Sequence, residues 1–332
     1  MTCHHRCNTL IRAILISSVA ISPCAWAQTT LKLINEYPAT SITAAADLQF
    51  AAAVNEQSKG TIKVETLQEK QNPYKGAEQV NAVIKEKDLM GTLFGGVLGN
   101  KDSLFLLSSL PFAAKDFKQA HALYSCAEPA LQERVKALGA HLLYVTPWPP
   151  SGIWSVTPLA NDTDVKALKI RTYDTTSKTV FERLGAQSVA LPYSALAEKL
   201  AAGEVNAVLT SGDGGAGRKL WDHLPNFTAV SYSIPLSYTI INRDAWDQLS
   251  SDQQAILTQA AEKVSAASWA GVEQRIEANY ARMREHKMTL NTTPSDSIMK
   301  SLKQTGDDET KAWLKANNLS EKEASCLSKT GT

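Results

Sequence analysis

The sequence predicts an α/β protein of two lobes, with central β-sheets flanked by helices and a long helix spanning both. Three observations carry this. Apolar strands and amphipathic helices alternate from residue 29 to about 100, break at a proline-rich stretch, and restart near residue 167. A chain of 332 residues is longer than one core ordinarily serves. A proline-free helical pattern from 251 to about 287 runs over ~50 Å at ~1.5 Å per residue, longer than one lobe is wide.

In chain order, "TTLKLINEYPA" (29–39) reads as a strand ending in a loop. "SITAAADLQFAAAVNEQSKG" (41–60) follows as a helix with Gly60 as its stop. "TIKVETL" alternates as a strand does, "KGAEQVNAVIKEK" is a helix, and "LMGTLFGGVLG" is a strand running into glycines. This alternation implies a mainly parallel sheet covered by helices. "PWPPSG" (147–152) is a stiff break suited to a crossing between lobes. Beyond it come the strand "ALKIRTY", a helix over 177–184, "SVALP", the helix "SALAEKLAAG", and the strands "VNAVLTS" and "SYTIIN". Ser250 and Gln253 have capping-box spacing at the head of the long helix. Two such lobes enclose a cleft, a common place for small ligands.

Residues 1–27 form a separate unit. Arg6 and Arg12 give a positive start, "LIRAILISSVAIS" a short apolar core, and "AWA" ending at Ala27 the small residues of a cleavage site. That is the pattern of a secretory signal peptide, too short for a spanning helix, and it places the mature chain in the periplasm. Export excludes most reactions that need ATP or NAD. The formal net charge of +1 argues against a nucleic-acid partner. After cleavage two cysteines remain, Cys126 and Cys326. In an oxidising compartment such a pair predicts a disulfide, two buried free thiols being the alternative.

Several motifs are set aside. "GDGGAG" (212–217) matches G-x-G-x-x-G after a strand, but the acidic residue of a dinucleotide site is missing from "AVSYSIPLSY". A flexible loop at the cleft mouth is the preferred reading, and no cofactor is expected. His121, His141, His223 and His286 are scattered, without metal-ligand spacing. There is no G-x-S-x-G elbow.

Arg171 stands where a strand meets a helix. A structural salt bridge would explain it, but its company points to a ligand. Asp174 lies three residues on, Tyr193 opens a helix after "VALP", and Thr210 and Ser211 end a strand. These are C-terminal strand ends, where open α/β sheets bind ligands. A guanidinium grips a carboxylate through two parallel hydrogen bonds.

"LKIR" followed by "LGAQSVALPYSALAEKLAAGEVNAVLTS" resembles the core of the TRAP (tripartite ATP-independent periplasmic) transporter substrate-binding proteins, the DctP-like family. "LPFAAKDFKQAHAL" (110–123) and "EYPATSITAAADLQFAAAVNEQSKGTIKVE" resemble further segments, so the likeness spans nearly the whole mature chain. It implies a two-lobe periplasmic solute-binding protein, not an enzyme, that closes on a small carboxylate and delivers it to membrane-embedded permease subunits. The expected organisation is lobe I over 28–150 plus about 235–268 and lobe II over 151–234 plus about 269–332. The helix over about 251–287 bridges them. A monomer is expected. The resemblance gives Arg171 the carboxylate, Tyr193 ligand packing, Asp174 a polar contact and Thr210 the place of an asparagine. Glu36 and Phe94 follow strands at the cleft. Where many members carry a second arginine, "SGIWSVT" has Trp154. It either packs into the second lobe or walls the pocket, favouring a monocarboxylate with an apolar or aromatic body. A sensory binding protein, or a secreted hydrolase with a dispersed triad, is the alternative function.

Overall fold

The computed structural model describes residues 1–2, 28–317 and 319–328. The signal segment, apart from its first two residues, lies outside them.

From β1 (Thr29–Asn35) the chain passes through α1 (Ile42–Gln57), β2 (Ile62–Gln68), α2 (Ala77–Lys85) and β3 (Leu89–Phe94) to the single turn α3 (Gly95–Leu98). A 3-10 segment, Ser103–Ser109, leads to α4 (Phe117–Ala137) and β4 (Ala140–Pro147). The prolines of 147–150 then carry the chain to β5 (Ser151–Ser155), α5 (Asp162–Lys166), β6 (Lys169–Thr172), α6 (Thr175–Arg183) and β7 (Gln187–Ala190). Next come α7 (Leu196–Ala201), β8 (Ala207–Ser211), α8 (Gly212–Gly217) and β9 (Asn226–Thr228). The chain closes through β10 (Leu236–Asn242), α9 (Arg243–Gln248), α10 (Ser251–Glu285), β11 (Thr289–Asn291), α11 (Asp296–Ala316) and α12 (Glu321–Ser328).

The strands form two sheets, in the orders β2-β1-β3-β10-β4 and β11-β9-β5-β8-β6-β7. Both are mixed, unlike the mainly parallel sheet the sequence predicts. β1, β2 and β3 are parallel, but β10 returns between β3 and β4 antiparallel to both. In the second sheet β6, β7 and β8 are parallel, and β5 runs against β8 and β9. The returning strands arrive from the opposite sheet through short connections, which do not require a crossover helix.

One face of the first sheet is covered by α1 and α10, through Leu31, Leu33, Phe50, Tyr144, Leu257 and Val264. From its other face a continuous apolar core runs into the second sheet, from Ile34 and Val83 to Phe181 and Phe227. Helix α10 has 35 residues, about 52 Å, and opens with the capping box of Ser250 and Gln253. It packs against α1 and β4 of the first sheet and against α8 and β11 of the second. Cys126 in α4 and Cys326 in α12 form a disulfide across 200 residues, with Cα atoms 5.6 Å apart. Among the described residues no helix is long and apolar enough to cross a membrane.

"GDGGAG" is not a flexible loop. It is the buried turn α8, capped by Ser211, whose hydroxyl accepts from the Gly214 amide at 3.1 Å. Its glycines answer to packing, since a Cβ at Gly215 would lie 2.0 Å from the Trp154 ring.

Candidate functional site

The parallel strands of the two sheets present their C-terminal ends to a shared, narrow cavity. From the sequence-selected set, Phe94, Arg171, Tyr193, Thr210 and Ser211 line it. Phe94 ends β3, Arg171 lies one residue from the end of β6, and Thr210 and Ser211 end β8. Glu36, Asp174 and Trp154 are not on the cavity wall.

Arg171 is 3% exposed and sits on the cavity wall. Its Nε and Nη2 both donate to the Leu191 carbonyl, at 2.9 and 2.6 Å. It makes no ion pair with a carboxylate among the described residues. Burial pulls its affinity for the proton below the usual guanidinium value; the nearby Tyr37, Tyr193 and Glu36 act the other way. The group stays charged regardless. A buried cation held by no direct ion pair is costly, and an anion in the cavity would relieve that cost.

The two acids lie behind their aromatic neighbours. Just past the ends of β1 and β6, Tyr37 and Tyr173 line the cavity, while Glu36 and Asp174 do not. Glu36 accepts from the Gly76 amide at 3.0 Å, and burial raises its pKa. Asp174 is the N-cap of α6. Its Oδ1 accepts from the Ser177 amide at 2.8 Å and from the Thr176 hydroxyl at 3.0 Å, and burial raises its pKa as well.

Trp154 is fully buried in β5. Its indole lies edge-on to Phe227, with centroids 5.4 Å apart, and its Nε1 donates to the Ser211 carbonyl at 3.3 Å. It supports α8 from behind and gives the cavity no surface.

To Phe94 and Tyr193 the apolar wall adds Tyr37, Trp148 and Tyr173, which the sequence does not single out. Trp148 packs on Tyr37 at 4.7 Å, and Tyr37 on Tyr193 at 4.8 Å. Phe94 meets Tyr173 edge-on at 5.4 Å. Three of their polar ends are tied down. Trp148 donates to Ser237 at 2.9 Å, Tyr173 pairs with Ser233 at 2.6 Å, and the Tyr193 hydroxyl donates to the Gly214 carbonyl. Behind Tyr37, its amide donates to Asn35 at 2.9 Å, and Asn35 donates to Asp47 at 2.6 Å. Asp47 also accepts from Thr92 at 2.6 Å and Tyr144 at 2.8 Å; burial outweighs these donors and lifts its pKa to about 6.

A second guanidinium stands nearby. Arg218 lies 4.5 Å over the Tyr193 ring, and Glu69 neutralises it at 2.8 Å. The cavity wall thus presents one guanidinium without a direct ion-pair partner among the described residues, a set of aromatic faces, and Ser151, Thr210 and Ser211. Among the described residues no cluster of three or more His, Cys, Asp or Glu is placed to hold a metal.

A cleft between two α/β sheets, spanned by one long helix and centred on a buried arginine, defines a solute-binding receptor. The DctP profile, bacterial extracellular solute-binding protein family 7, matches residues 35–314. The chain belongs to this family, whose members are extracellular solute-binding proteins of TRAP transport. The fold is shared with DctP7, a Bordetella pertussis extracytoplasmic solute receptor binding pyroglutamic acid: TM-score 0.86 and 23% identity, over 92% of this chain and 100% of that one. DctP6 of the same organism, also a pyroglutamic acid receptor, gives 0.85 and 24% over 91% and 99%. The sugar acid binding protein DctPAm of Advenella mimigardefordensis, in complex with galactonate, gives 0.85 and 19% over 92% and 98%.

Proposed function

We propose that this chain captures a compact monocarboxylate in the cavity and delivers it to an ion-driven membrane permease. In this reading the protein acts as a periplasmic monomer exported by residues 1–27. Residues 28–150 with about 235–268, and 151–234 with about 269–332, act as lobes that close on the ligand. The observation that carries the reading is Arg171: buried, on the cavity wall, and in no direct ion pair with a carboxylate among the described residues. Closure excludes water and so strengthens the Arg171–carboxylate pair. No covalent step is required.

The aromatic wall favours a body that is partly apolar, and the neutralisation of Arg218 by Glu69 leaves one cation for one carboxylate. A small cyclic acid of the pyroglutamate kind fits these features better than a sugar acid with a hydroxyl on every carbon, because few of the wall's polar groups remain unengaged. A thermal-shift screen of pyroglutamate, galactonate and dicarboxylates tests this. A ligand at a hundredfold its Kd stabilises by ~2.7 kcal/mol. A screen in which only dicarboxylates or neutral solutes stabilise the protein overturns the reading.

A further inference from the structure

Helix α1 has no acidic residue in its first turn. Ser41 caps it, accepting from the Ala44 amide at 3.1 Å. The first amide of the helix, that of Ile42, is bonded from elsewhere. Asp213 of α8, 171 residues along the chain, accepts from it through Oδ1 at 2.9 Å. The other carboxylate oxygen accepts from Arg275 Nε and, at 3.1 Å, from Asn279 Nδ2, both on α10. Arg275 also donates through Nη2 to the Thr40 carbonyl, just ahead of α1. Asp213 is 1% exposed, while Arg275 stays partly open to solvent.

The same short turn forms part of the cavity wall. Ser211 and Gly214 flank Asp213 and face the cavity, and the Gly214 carbonyl accepts from Tyr193. A Cβ on Gly217 would lie 3.1 Å from Pro38, so the far end of α8 also rests on the loop between β1 and α1. Cavity wall and inter-sheet contact are thus two faces of one rigid piece.

We infer that Asp213 is a positioning residue for solute binding: its bond to the first amide of α1 holds the α8 wall of the cavity in its closed place. The inference rests on the proposed closing of two lobes. When they part, the Ile42 and Thr40 contacts are lost, while Asp213 keeps Arg275 and Asn279 and is never left as a bare buried charge. The clasp therefore makes and breaks at low cost, and its main effect is on how long the closed state lasts.

The test removes one hydrogen. Ile42 is the first residue of α1, where proline is well tolerated, and Ser41 already has the extended backbone (φ −72°, ψ 156°) that proline demands of its predecessor. Ile42→Pro deletes the amide donor; Ile42→Ala keeps it and controls for the side chain. Stopped-flow fluorescence, with Trp148 as reporter and pyroglutamate as probe, gives the rates, and small-angle scattering without ligand gives the open fraction. Ile42→Pro should dissociate on the order of ten-fold faster than Ile42→Ala, with association nearly unchanged and the free protein more open. Equal dissociation rates and equal scattering for the two variants overturn the inference. If the wild type ignores pyroglutamate yet Ile42→Pro alone is more open, the proposed ligand fails and the clasp stands. Should Ile42→Pro misfold by circular dichroism, Arg275→Lys decides against the exposed control Arg284→Lys. A lysine keeps a charge beside Asp213 but lacks the fork that also reaches Thr40.

Discussion

Arg171 and Leu191 form a two-pronged contact in which one carbonyl accepts from Nε at 2.9 Å and from Nη2 at 2.6 Å. The side edge of the guanidinium is therefore fixed by the backbone that follows β7. Its far end, Nη1 and the second hydrogen of Nη2, is what remains for a ligand. A carboxylate should be gripped end-on.

Arg171→Ala is expected to weaken ligand binding by roughly 2–5 kcal/mol. Arg171→Lys should recover little of it, because an ammonium cannot hold the Leu191 carbonyl and a carboxylate in one plane. Titration calorimetry on the three proteins measures this. Near-normal binding by the alanine variant would end the assignment of the cavity.

Trp154 and Gly215 make a tight pair, and substitution at either should act on folding before it acts on ligand choice. Gly215→Ala places a methyl 2.0 Å from a ring carbon and should cost about 1–3 kcal/mol. Trp154→Arg would bury an unpaired charge and should fail to fold rather than recruit dicarboxylates. Chemical denaturation and expression yield report both. A stable Trp154→Arg protein with altered ligand ranking would place the indole in the cavity after all.

Asp47 makes stability depend on pH. Its folded pKa of about 6 lies above the ordinary 3.8, so between those values the folded protein holds a proton that the unfolded chain has released. Stability from this group is greatest below about pH 4 and falls as pH rises through about 6, by on the order of 3 kcal/mol. Asp47→Asn, uncharged throughout, should lack that fall. Urea melts of both proteins across this range should show their stabilities diverging; a constant offset would refute the assignment.

The disulfide joins residues 200 positions apart and restrains α12 against α4. Replacing Cys126 and Cys326 by serine should cost roughly 2–4 kcal/mol, read as a lower midpoint in denaturant, with ligand affinity at the distant cavity unchanged. Loss of affinity equal to the loss of stability would mean that the bridge shapes the site.

Much of the fold is legible because its signals are local. The capping box at Ser250, the glycine stop at Gly60 and the prolines after β4 each act within a few residues. The place of β10 is not legible, since only tertiary pairing decides that "SYTIIN" joins the first sheet between β3 and β4. At the site, strand ends point to Phe94, Arg171, Thr210 and Ser211, which line the cavity. In two neighbouring pairs the sequence points to the charged member, Glu36 beside Tyr37 and Asp174 beside Tyr173, whereas the aromatic lines the cavity. Charge draws the eye toward ligands, yet a carboxylate beside a backbone amide or a helix start is as readily consumed by the protein itself. Trp148 and Ser151 lie in a stretch whose prolines point to a crossing between lobes, and the glycines of α8 in a nucleotide-like motif. An aromatic at the end of a strand was the signal available for Tyr37 and Tyr173.

The position of β10 also bears on the order in which the molecule can assemble. β1, β2, β3 and β4 are made first, yet β3 and β4 have no partner in common until residues 236–242 arrive between them. While the N-terminal part emerges alone, β4 has no sheet to join. The second sheet, by contrast, needs only β5 to β9, an unbroken run, for all but its edge strand. The part of the protein that begins the sequence is thus the later to be completed, and Cys126 must wait for Cys326 until almost the whole chain has emerged. A chaperone that guards the nascent chain would find the edges of β3 and β4 that β10 later covers still open.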